Sequence, residues 1–141
     1  MAVATANQTP IYSRVGQIDW GAIAIIAANT AKDGTGTVDT VFTADATDGG
    51  FVNKVVFRAA GTNVATVARL FINNGAVNTT AANNILYSEI TLPATTLSET
   101  AALLNQEITL NLALPPGYKL NVVLGTAVAA GYYVSAVGGK Y

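Results

Sequence analysis

The chain has 141 residues, 51% hydrophobic and 11% charged, with 7 basic and 8 acidic side chains and neither cysteine nor histidine. That length builds one domain able to bury roughly 70% of its unfolded surface. Charge this sparse, against about 25% in an ordinary soluble domain, leaves a surface weakly protected against association. Nucleic acid is offered no basic stripe and a membrane surface no polybasic segment. The missing residue types exclude disulfides, thiolate metal sites, the commonest general base and the commonest metal ligand.

In chain order, MAVATANQTP has neither the basic n-region nor the apolar h-region of a signal peptide. Residues 1–21 do not alternate cleanly and are read as an extended N-terminal arm ahead of a single domain, 22–141. Ile11, Tyr12, Ile18 and Trp20 stud this arm among Ser13, Arg14, Gln17 and Asp19. Two readings are open: an arm reaching a neighbouring chain, or a first strand that pairs with the sheet and buries Trp20.

AIAIIAAN at 22–29 is short and fully apolar, as in a strand buried on both faces. Turns at 32–36 and 45–50 bracket TVDTVFTA at 37–44, a β-branched, half-polar strand. FVNKVVFRAA at 51–60 puts Val55 and Phe57 on one face and Lys54 and Arg58 on the other. VATVARLFI at 64–72 ends at Asn74-Gly75, a strong turn signal. A long polar connection leads to ILYSEITL at 85–92. LSETAALLN at 97–105 is the only helical candidate, about two turns with Ser98 as cap.

ITLNLALPPGYKLNVVL at 108–124 carries the clearest period-two pattern. Ile108, Leu110, Leu112 and Leu114 alternate with small or polar residues, Pro115-Pro116-Gly117 interrupts, and Tyr118, Leu120, Val122 and Leu124 resume. The simplest reading is a β-hairpin. The stretch between Lys119 and Lys140 is uncharged, but its glycines break it into two strands, 118–125 and 131–137, with a four-residue tail. No membrane span is expected. The uncharged strands leading to Tyr132-Tyr133 add those two residues to Ile11, Tyr12, Ile18 and Trp20 as candidate inter-subunit contacts.

The expected fold is therefore all-β: an eight-stranded, jelly-roll-like antiparallel sandwich. An immunoglobulin-like sandwich fits less well, because Trp20 comes too early to sit on a third strand. Gly34-Thr35-Gly36 lacks the lysine and helix of a phosphate loop. Asp33, Asp39, Asp45 and Asp48 match no calcium-loop spacing and read as turn formers. The serines have no histidine to activate them. No catalytic, cofactor or metal site is expected.

NVATVARLFINNGAVNTTAANN at 63–84, LPATT at 92–96, LNLALPPGYKLNV at 110–122 and the terminal AVGGKY, with WGAI at 20–23 and TAKDGTGT at 30–37, resemble small structural proteins of tailed bacteriophages and prophages. The family resembled is that of capsid decoration, or cement, proteins. The resemblance implies a non-enzymatic domain on the outer capsid surface that binds the major capsid protein; the low charge and the uncharged strands ending at Tyr132-Tyr133 add copies of itself as a partner, as a trimer with a dimer the alternative. Related sandwiches serve as head-fibre or tail knobs that bind a receptor or glycan. Against that alternative, loops 30–36, 45–50 and 75–84 hold no aromatic residue.

Overall fold

The computed structural model describes residues 13–21 and 23–141. Eight strands follow in order: β1 (Val15–Trp20), β2 (Asp39–Thr43), β3 (Gly50–Ala59), β4 (Thr66–Asn73), β5 (Asn84–Leu92), β6 (Gln106–Leu114), β7 (Lys119–Leu124) and β8 (Tyr132–Lys140). A 3-10 turn, Ala81–Asn83, precedes β5. The strands form two four-stranded sheets, ordered β1-β8-β3-β6 and β2-β7-β4-β5, with every pairing antiparallel. The pairs β4–β5, β3–β6, β2–β7 and β1–β8 are nested like brackets. One long antiparallel ribbon, rolled up, gives this order, which is a jelly-roll-like winding.

Alternation explains which residues meet between the sheets. Val52, Val55 and Phe57 of β3, Leu70 of β4, Leu120, Val122 and Leu124 of β7, and Val134 and Ala136 of β8 form one buried cluster. At about 25 cal/mol per Å² of apolar area, this cluster is the main stabilising term. Ile108, Leu110 and Leu112 lean on it from β6, only partly buried because β6 is an edge. Side-chain amides close the ends. Buried Asn63 accepts from the Ala130 and Gly131 amides at 2.8 Å each and donates to the Gly131 carbonyl at 2.9 Å.

Four expectations change. The hairpin at 108–124 is not a hairpin. Its two alternating runs do face one core, but from opposite sheets, with the Pro-Pro-Gly turn as the corner between β6 and β7. Two residues without N–H groups suit a corner that leaves one ladder before joining another. Gly117, at φ +77°, turns the chain and donates to the Asp45 carbonyl at 3.2 Å.

The apolar run at 22–29 is not a strand. Among its described residues only Ile25 and Ala28 make single bridges, to Tyr132 and Leu124. The segment must travel from one sheet to the other, so it cannot stay in either ladder. The eighth strand is instead Val15–Trp20, which pairs residue for residue with β8. That half of the expected arm belongs to the domain.

No helix forms at 97–105. Ser98 caps only a local turn, accepting from the Thr100 amide at 3.1 Å. Two turns are too few to offset helix nucleation without a strong apolar face, and Leu97 and Leu104 point into solvent.

The last strand runs on through the supposed tail to Lys140. It can because Gly138 has no side chain: a Cβ there would collide with the Phe51 carbonyl oxygen.

Candidate interaction surface

The two outer faces of the sandwich are treated differently. On the β2-β7-β4-β5 sheet, Phe71 and Val123 alternate with core residues and therefore point outward, yet both are buried. The chain covers them itself. Loop 30–36 lies against Phe71, and Asn78 pins it by donating to the Gly34 and Gly36 carbonyls at 3.2 and 2.7 Å. Asn29 holds the loop's own curve through the Thr35 and Thr37 carbonyls at 2.9 and 2.7 Å.

The β1-β8-β3-β6 sheet has no such cover among the described residues. Its outer face divides in two. The β3–β6 half is charged: Lys54 pairs with Glu107 at 3.0 Å, and Arg58 donates to the Leu103 carbonyl and the Asn105 side chain at 3.3 Å each. The β1–β8 half is apolar. Ile18 and Trp20 lie on outward positions of β1, 61% and 68% exposed. Trp20 sits opposite Ser135, and Tyr133, 57% exposed, is its diagonal neighbour on β8. Ile23, 81% exposed, completes the group around a shallow depression of about 170 Å³ that Trp20, Tyr133 and Ser135 also line.

Of the expected contact residues, the structure thus brings together Ile18, Trp20 and Tyr133. Tyr132 is a correction. It is 2% exposed, packed in the core, with its hydroxyl 3.4 Å from the Pro93 carbonyl and its ionisation pushed up by burial. Adjacent strand residues point to opposite faces, so Tyr132 and Tyr133 cannot share a surface. Ile11 and Tyr12 lie outside the described residues. Ile23 was hidden in a run read as buried on both faces. Its exposure follows from the sheet-to-sheet crossing, which no local pattern announces.

The edges also differ. β2, β5 and β6 each carry one residue more than the strand they pair with, near Val41, Tyr87 and Asn111 respectively. Asn111 takes φ +47°, a left-handed conformation that asparagine tolerates better than most residues. Bulges blunt an edge against further pairing. β1 has none across its six paired residues.

Chemistry is sparse. No group of three or more His, Cys, Asp or Glu side chains gathers among the described residues, and none of their helices could cross a membrane. Asp33 and Asp45 are turn formers. Asp45 accepts from the Thr47 and Asp48 amides at 2.9 Å each, and those bonds, Asp48's first, hold its carboxyl below the ordinary value. The Thr35 hydroxyl, then its amide, does the same for Asp33. Compared with known proteins, the chain matches no family model, no curated protein and no solved structure.

Proposed function

We propose that this protein is a non-enzymatic virion component. It is a decoration, or cement, protein on the outer capsid surface, where it bridges and stabilises major capsid protein subunits. The virion assignment rests on the turn and strand motifs that resemble phage structural proteins. The observation that carries the association itself is the apolar half-face of Ile18, Trp20, Ile23 and Tyr133, which no described residue covers. Burying each large apolar side chain is worth roughly 1.5–3 kcal/mol, and a contiguous exposed group of this kind marks an interaction site.

The physical action is mass action. A protein that binds only the assembled lattice stabilises it, by about 2.7 kcal/mol per site when free protein is a hundredfold above Kd. Many such sites on one shell act together.

Co-sedimentation with heads stripped of this protein tests the reading. Saturable binding at a fixed ratio to capsid subunits, with a raised melting temperature of the head, is the expected result. Absence of binding to heads, combined with clear hits on a glycan array, would replace it with a receptor-binding knob.

A further inference from the structure

We propose that two copies of this chain join edge to edge through β1, making one eight-stranded sheet across a two-fold axis at Ile18. The inference rests on reading the β1–β8 face as an assembly surface, and it names the partner as a second copy.

The backbone comes first. Gly21 donates to the Val134 carbonyl at 3.1 Å and continues the β1–β8 register. In an antiparallel pair, alternate residues turn their N–H and C=O groups toward the neighbour. Val15, Gln17 and Asp19 therefore face β8, while Gly16, Ile18 and Trp20 turn theirs to the edge that no described strand pairs with. Across its six paired residues that edge runs without a bulge, unlike the other three. It is a six-residue template for another strand.

The side chains then select which strand. Placing Ile18 opposite its own copy sets Trp20 opposite the second copy's Gly16, and Gly16 opposite the second copy's Trp20. Open space surrounds the position where a Gly16 side chain would stand. An indole lying over a cross-strand glycine fills that gap. The pairing is self-complementary, as a two-fold interface requires.

Charges agree with it. Asp19 is the one charged residue within β1. In this register it faces the other copy's Gln17, a neutral amide that within one chain donates to Asp19 at 2.6 Å and to the Thr43 carbonyl at 3.2 Å. No like charges meet within the paired strands. The two apolar half-faces become one continuous centre. Lys54, Glu107 and Arg58 of both copies stay at its rim, the arrangement expected of an interface.

The chain has no cysteine, so a single introduced thiol reports cleanly. In I18C the two thiols lie directly opposite, at a backbone separation of about 5.5 Å, inside disulfide range. Mild oxidation of native protein should cross-link I18C about tenfold or more faster than L104C or V64C, exposed controls elsewhere, because paired thiols meet at high effective concentration.

Ile18→Pro is the second arm. It removes only an amide that faces the free edge, a place where proline is tolerated in a sheet. It should keep cooperative melting while light scattering moves from dimer to monomer. Cross-linking of I18C no faster than L104C, or an I18P protein that remains dimeric, would overturn the two-fold. Wild-type protein that binds heads while monomeric would also overturn it, and would leave the capsid reading standing. Dimers that ignore heads would do the reverse.

Discussion

Asp45 shows how much a single turn residue does here. Its carboxylate accepts two backbone amides and receives Lys140 at 3.4 Å, and so ties the 45–50 turn to the end of β8. Because these partners favour the charged form, its folded pKa lies below the ordinary aspartate value, with the Asp48 amide as the largest cause. The stability it contributes is present above that value and is lost as pH falls through the depressed folded one. Asp33, lowered by Thr35, acts in the same direction. The melting temperature of the wild type should therefore drop on acidification below about pH 4. Asp45→Asn keeps an acceptor for the amides but has no proton to gain. Calorimetry across that range should show a shallower acid slope for D45N, and shallower still for D33N/D45N. Equal slopes in all three would exclude these carboxylates as the source. The role of Asp33 and Asp45 as turn formers was legible in the sequence, because short side chains that bond the backbone two or three residues on are a local feature.

At the scale of the strand, β8 carries two neighbouring tyrosines with opposite fates. Tyr132 fills the core and Tyr133 lies in the open half-face beside Trp20 on β1. Truncating Tyr132 and Trp20 separates folding from association. Tyr132→Ala should cost roughly 3–5 kcal/mol in denaturant unfolding of the monomer, the range for a buried aromatic. Trp20→Ala should cost within about 0.5 kcal/mol, as for an exposed site, yet weaken self-association. A large loss of monomer stability in W20A would instead make Trp20 a core residue. The alternation in β3, β4 and β6 could be read directly, since period two in one strand depends on that strand alone. Whether Trp20 was buried could not be read. Its environment depends on β8, more than a hundred residues later in the chain, and on which outer face the 23–38 connection covers.

For the molecule as a whole, the same limit separates what was legible from what was not. Turn residues and alternation gave a sandwich of eight strands, and that architecture stands, though one expected strand was misplaced. The assignment of strands to sheets was hidden. Ile108–Leu114 and Lys119–Leu124 look like two arms of a hairpin, because both present an apolar face and only four residues lie between them. A core between two sheets satisfies that pattern equally well. Proline-proline corners and hairpin loops differ in where the chain goes next, and the partners that decide this are distant strands. The candidate surface was half legible for the same reason: large apolar residues ahead of the domain are visible in a sequence, but their being left uncovered is a property of the finished sheet.

The nested pairing has a kinetic consequence. Only residues 74–83 lie between β4 and β5, whereas β1 and β8 lie at opposite ends of the described chain. Each outer pair must close a longer loop than the one inside it, and folds dominated by such distant pairings mature in milliseconds to seconds. The ribbon should thus zip from its closed end, with β1 docking last. Pulse-labelled hydrogen exchange would detect this as amides of β4 and β5 gaining protection before those of β1 and β8; simultaneous protection everywhere would exclude it. If copies join through β1 as proposed, a chain built this way presents that strand in correct register only when the rest is complete, and the order of folding alone would keep unfinished copies out of the assembly.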